Sequence, residues 1–266
     1  MPTSNENAHN GNCSEIVFEK HAVIRDLKPQ SQTIHRLLKH LETKGLDFVP
    51  RFLGLADSAH ERLSYVSGQT VQDYPLSDDF EMQAQAVRTA AKMLRTYHDA
   101  TLDFPKTSDD VWFLSYPGPL EKQVICHNDF APYNVTFEKG IPVGIIDFDT
   151  ACPAPRVWDI AYALYRFIPL GRETFVASTK TYRIYNSLRD RQKRQDLIDV
   201  FLDAYGFPDK ASALNHVPLR LQSLVDLFDK QCLAGDPAFI RMQNEGHQQL
   251  YRDEIVFITQ HISDWL

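Results

Sequence analysis

The chain has 266 residues, 43% of them hydrophobic, which is enough to bury a sizeable core in one large domain or two small ones. A formal charge of −7 and a pI near 5.8 exclude the basic footprint of a nucleic-acid-binding surface. No apolar run reaches membrane-spanning length, and the polar start MPTSNENAHNGNCS lacks the basic and apolar regions of a secretory signal, so a soluble protein is expected.

Residues 1–14 are rich in Asn and Ser and are expected to be loose. Two short β-like runs, 15–19 and 22–25, read as a hairpin turning near Lys20 and His21. A helix is predicted over 31–44 from the spacing of Ile34, Leu37, Leu38 and Leu41, with Gly45 just past its end. Runs 51–56 and 62–67 read as two more strands, the second followed by Gly68. A long helix is predicted over 78–100, with Asp78 and Glu81 as a capping pair and Val87, Ala90, Ala91, Leu94 and Tyr97 as its apolar stripe. Residues 104–120 and 150–155, each containing prolines, read as loops. A helix over 156–167 is apolar nearly all round, and the remainder reads as helices over 190–205, 218–234 and 246–266. From Asp196 onward 11 acidic residues stand against 5 basic ones, a bias that first serves solubility and would also suit a cationic ligand. The cysteines, Cys13, Cys126, Cys152 and Cys232, show no metal-ligand spacing and fit a reduced cytoplasmic protein.

The chemistry is concentrated in residues 124–149, VICHNDFAPYNVTFEKGIPVGIIDFD. Apolar runs at 124–126 and 143–146 each end in an acidic cluster, and Val135, Thr136 and Phe137 alternate like a strand before the Lys139-Gly140 turn. A short strand thus delivers His127, Asn128 and Asp129, a five-residue step leads to Asn134, and a hairpin returns Asp147 beside them. Taken singly, such residues are turn formers bonding their own backbone. Taken together they suit a hard divalent cation beside a proton acceptor, because Mg²⁺ takes oxygen ligands and completes its shell with water and substrate phosphates. An Asp, an Asn five positions later and an Asp-Phe pair ending the next hairpin strand form the catalytic-loop and metal-loop pattern of kinase-type phosphoryl transfer.

His127-Asn128-Asp129-Phe130-Ala131-Pro132-Tyr133-Asn134 and Ile145-Ile146-Asp147-Phe148-Asp149, followed by Trp158-Asp159-Ile160-Ala161, resemble the aminoglycoside phosphotransferase and choline kinase family. The resemblance implies an α+β, protein-kinase-like two-lobed fold, with a shortened β-rich lobe over 1–67 and a mainly helical lobe over 68–266. It implies Mg²⁺-dependent transfer of the γ-phosphoryl group of ATP or GTP to a hydroxyl of a small molecule, with no nucleic-acid or membrane partner. Asp129 would be the base, Asn134 and Asp147 the metal ligands and His127 a brace for the loop. Asp149 would hold the metal or cap its loop, and Asp159 would tie its helix back to the catalytic loop. Ser64, Tyr65 and Val66 resemble the linker whose backbone holds the purine, and Ile146 falls in the same nucleotide site. Leu94 and His98 match the family's Leu-x-x-Leu-His signature, with Tyr97 in place of the second Leu.

The chain also departs from the family. It has no G-x-G-x-x-G, and Gly11 with Asn12, Cys13 and Ser14 is the nearest remnant of a phosphate-covering loop. The third-strand Lys is not evident and Arg25 is the nearest substitute. The helix over 31–44 offers only Glu42, close to its end, so the usual Lys–Glu pair is absent or replaced. These departures motivate an alternative, a catalytically weak nucleotide-binding or regulatory module of pseudokinase type. A third reading, a metal-dependent glycosyl transferase, would use Asp147 and Asp149.

Overall fold

The computed structural model describes residues 16–19, 21–72, 79–176 and 178–266. The expected glycine-loop remnant, Lys20 of the first turn and Asp78 of the expected cap lie outside the described residues.

Strands β1 (Ile16–Phe18) and β2 (Ala22–Asp26) form the predicted antiparallel hairpin. With β3 (Phe52–Leu55) and β4 (His60–Ser64) they make a four-stranded antiparallel sheet in the order β1-β2-β4-β3. Between β2 and β3 the chain crosses as α1 (Ser31–Thr43), whose Ile34, Leu37, Leu38 and Leu41 are buried at the predicted spacing. Helix α2 (Phe80–Ala100) starts later than predicted. Its cap is Asp79, whose carboxylate accepts the Met82 N–H at 3.1 Å.

Strand β5 (Val124–Cys126) is buried throughout. Strands β6 (Val135–Glu138) and β7 (Ile141–Ile145) form the expected hairpin, with Lys139 and Gly140 both left-handed at its turn. The loop predicted over 150–155 contains a strand, β8 (Cys152–Ala154), paired antiparallel with β5 so that Pro153 lies opposite Ile125. A proline fits there because β8 pairs on one side only and needs no second row of donors. Helix α3 (Arg156–Phe167) follows as predicted. The wholly helical remainder needs correction, since β9 (Glu173–Val176) and β10 (Thr181–Ile184) form a further hairpin, rich in β-branched and aromatic residues.

The chain then continues through α4 (Ser187–Tyr205), α5 (Lys210–Leu233), α6 (Pro237–Asn244) and α7 (His247–Trp265). Helix α5 begins eight residues before the predicted Pro218, which sits inside it. Burial of Ala213, Leu214 and Val217 outweighs the proline's lost hydrogen bond. One apolar core runs from α1 to the buried Trp265 of α7; within it α5 packs on α3 and α7, and α2 on α4. No described helix is long and apolar enough to cross a membrane.

Gly144 shows how tightly the central hairpin is seated. A Cβ there would lie 2.3 Å from Val66 Cγ1 and 2.6 Å from Thr136 Oγ1. Gly144→Ala is expected to destabilise the protein by about 1–3 kcal/mol through overpacking. An unchanged denaturant midpoint would show that the contact with Val66 yields without cost.

Candidate active site

Strand β5 hands the chain directly to His127, Asn128 and Asp129, and the turn that follows is fixed from below by Asp159 of α3. One Asp159 oxygen accepts the Asn128 N–H at 2.7 Å; the other accepts the His127 N–H at 2.6 Å and bonds His98 Nε2 at 3.0 Å. Asp159 is fully buried. Burial alone would raise its carboxyl, but the His98 hydrogen bond, the positive potential of the imidazoles and the His127 N–H hold it below the ordinary range. His98 has the opposite balance: burial outweighs the pull of Asp159 and lowers its pKa, so the ring is favoured neutral, with Tyr205 O–H on Nδ1 at 2.6 Å.

Asn128 adopts a left-handed φ of 64°, which Asn tolerates better than most residues, and its amide donates to Thr150 O at 3.0 Å. Arg220 of α5, buried over the Tyr162 ring, donates to the Asn128 carbonyl. His127 Nε2 donates to Ile146 O at 2.9 Å while Nδ1 accepts the Asp129 N–H at 3.3 Å, so one imidazole links the two acidic loops.

Asp129 and Asn134 meet directly. Asn134 Nδ2 donates to the Asp129 carboxylate at 2.8 Å and to its carbonyl at 3.0 Å, and Tyr133 O–H donates to the other carboxylate oxygen at 2.6 Å. Tyr133 is held in turn by Tyr162, with 2.9 Å between the hydroxyls. Ile146 N–H donates to Asn134 O at 2.9 Å, continuing the register that pairs Val135 with Ile145, so Asp147 leaves the hairpin next to Asn134. Asp147 is left-handed at φ 60°, and half of its side-chain surface is open.

Arg25, the sequence substitute for the third-strand Lys, is no bare surface cation. Its Nε lies 2.5 Å from Glu61, which faces it across the β2–β4 register, and its terminal nitrogens lie 2.7 Å from Asp149 and 3.4 Å from Asp147. Lys28 takes the other Asp149 oxygen at 2.7 Å. Burial would raise the Asp149 carboxyl, but Arg25 and then Lys28 keep it low. Both Asp149 oxygens thus rest on protein cations, Arg25 on one and Lys28 on the other. Of the expected linker residues, Ser64 accepts the Arg51 N–H at 2.8 Å, Tyr65 donates its N–H to His21 O at 3.0 Å with its ring edge-on to Phe18, and Val66 lies over Gly144.

A hard divalent cation fits the remaining donors. The Asn134 amide oxygen accepts no hydrogen bond from the described residues, and Asp147 has one loose cation at 3.4 Å. By contrast, the His98, Cys126 and Asp159 ligand atoms, though within 4.8 Å of one another, are spent: both nitrogens of His98 are bonded, Cys126 bonds Pro155 O and Asp159 accepts three donors.

Residues 111–197, which include the whole site from His127 to Asp159, match the model of the phosphotransferase enzyme family. The GDP complex of aminoglycoside 2'-phosphotransferase-IIIa superposes with a TM-score of 0.57 at 16% identity, covering 96% of this chain and 93% of that one. The chain carries the fold of the aminoglycoside phosphotransferase and choline kinase family. A choline/ethanolamine kinase family protein from Mesorhizobium loti superposes with a TM-score of 0.57 at 11% identity, covering 96% of this chain and 92% of that one. The streptomycin–ATP ternary complex of APH(2")-IIa gives 0.55 at 14% identity, covering 93% of each chain. In sequence, the trifolitoxin immunity protein of Rhizobium leguminosarum bv. trifolii is 32% identical over 147 residues, about half the length of each protein.

Sequence reasoning missed Lys28, His35, Glu61, Tyr133 and Arg220. For Glu61 a signal was present: on β4 it alternates in phase with buried Leu63, where an acid has no packing reason to be. Arg220 carried no such signal in a helix of mixed composition.

Proposed function

We propose that this chain is a phosphotransferase moving the γ-phosphoryl group of ATP or GTP to a hydroxyl of a small molecule. The observation that supports it most is the Asp129–Asn134 pair set beside a half-open Asp147, with Arg25 brought in from the N-terminal sheet. Asp129 takes the acceptor hydroxyl proton as that oxygen bonds to the γ-phosphorus and the bridging oxygen leaves with ADP or GDP. Asn134 and Asp147 would hold Mg²⁺, which when bound neutralises charge on the donor phosphates. Arg25 faces those phosphates, Ile146 borders the nucleotide, and the backbone at Ser64, Tyr65 and Val66 receives the purine. His127 and Asp159 hold the loop in place. Catalysis then rests mainly on positioning, because a loose transition state asks little covalent chemistry of the protein. Cys126, Cys152 and Cys232 are free thiols, which supports a reducing, cytoplasmic setting.

Acceptors to try first follow from the relatives: aminoglycosides such as gentamicin and streptomycin, choline and ethanolamine, and trifolitoxin. The expected result is Mg²⁺-dependent consumption of ATP or GTP together with a phosphorylated acceptor detected by mass spectrometry. Tight nucleotide binding without transfer to any acceptor would favour the regulatory module instead.

A further inference from the structure

The Arg25 guanidinium is divided among three carboxylates, and the division is uneven. Glu61 at 2.5 Å and Asp149 at 2.7 Å are tight, while Asp147 at 3.4 Å is loose. A permanent cation competes with a divalent ion for any carboxylate it touches, so the loose contact is the one that matters for metal binding. Glu61 is 1% exposed and directly opposite Arg25 in the strand register. Its second oxygen bonds His35 Nε2 of α1, and the His35 ring is stacked on Phe52 with centroids 3.7 Å apart. Among the described residues the ion-pair and hydrogen-bond partners of the Glu61 carboxylate are Arg25 and His35. Burying a carboxylate of this kind is costly, and the cost is offset only by close pairing and hydrogen bonds such as those from Arg25 and His35.

We propose that Glu61, backed by His35, is a positioning residue of the metal–nucleotide site: it draws Arg25 back from Asp147, leaving that carboxylate for the cation and the guanidinium edge for phosphate. A strand carboxylate and a helix imidazole thus take over the work of the helix Glu that holds a strand Lys in protein kinases. The device also ties α1 to the site, since displacing His35 loosens Glu61. This inference rests on the proposed reading of Asp147 as a metal ligand.

The test uses the full chain with a non-hydrolysable ATP analogue, reading Mn²⁺ binding by electron paramagnetic resonance and folding by thermal unfolding. Glu61→Gln is expected to weaken Mn²⁺ binding by about 10–100-fold, the range typical of groups that orient metal ligands. The effect should vanish in an Arg25→Gln background, because the competitor is then gone; a general packing defect would persist in both backgrounds. His35→Gln leaves the Arg25–Glu61 pair in place and should shift Mn²⁺ binding the same way by a smaller factor, which decides the matter should Glu61→Gln fail to fold. Unchanged Mn²⁺ affinity in the folded variants overturns the proposal, as does an equal loss with and without Arg25. A wild-type chain that binds neither Mn²⁺ nor the analogue overturns the phosphotransferase reading and this inference with it, whereas a wild-type chain that binds both but ignores position 61 overturns this inference alone.

Discussion

Asp129→Asn is expected to lower turnover by about 10²–10⁴-fold, the contribution of a positioned general base, while nucleotide binding stays near that of the wild type. The split follows from the geometry. Asp129 is held by Tyr133 and by the Asn134 amide, whereas Arg25 and Lys28 come from the N-terminal sheet and its following turn and contact Asp147 and Asp149 of the other acidic loop. An asparagine keeps the volume and can still accept a hydrogen bond, so the loop should keep its shape and lose only its proton acceptor. Measuring kcat beside the dissociation constant of a non-hydrolysable ATP analogue checks this. Turnover that survives the substitution would remove Asp129 from the chemistry and leave the proton acceptor elsewhere in the site.

Asp159→Asn is expected to have a large effect on stability. The two oxygens of Asp159 accept three donors in a fully buried site, so an amide nitrogen in place of one oxygen would face an N–H group it cannot bond. Turned with its oxygen toward His127 N–H and His98, the new amide still strands the Asn128 N–H, at a cost of about 1–3 kcal/mol for a buried unpaired donor. For a chain of this size that corresponds to a fall in Tm of several degrees. Activity should fall too, because the same bonds set the backbone that carries Asp129.

The acid limb of stability carries the same signature. The Asp159 carboxyl is lowered on folding, so its contribution is complete above the unfolded value of about 3.9 and is lost as pH falls through the folded value. His98 is also lowered on folding, so stability begins to fall once pH drops below the unfolded imidazole value of about 6.5, where the unfolded chain takes up the proton more readily. Wild-type stability should therefore decline from about pH 6.5 downward and more steeply near pH 4. In Asp159→Asn the lower step should shrink, and an unchanged profile would place the acid sensitivity elsewhere.

The active-site pattern was legible in the sequence because its parts are fixed by short-range geometry. A buried three-residue strand, a five-residue step and a hairpin leave little freedom in where Asp129, Asn134 and Asp147 emerge, and local spacing alone brings them together. The helices over Ile34–Leu41 and Val87–Tyr97 were legible for a similar reason, since a stripe repeating every three to four residues can be buried only as a helix. The short β8 and the β9–β10 hairpin were not, because three or four residues carry too little periodicity to outweigh a proline or a helical context.

By itself the sequence determined the pattern of the candidate site and the family whose fold the chain carries. The tertiary structure alone decided what holds Arg25, because its partners Asp147 and Asp149 lie 122 and 124 residues away and Glu61 lies 36 away. A charge on an alternating strand carries no mark of which face will be covered. Only the closing of α1 and the central hairpin over the sheet turned Arg25, Glu61 and His35 from polar surface groups into a buried array, where desolvation makes each unpaired group costly and each pairing specific.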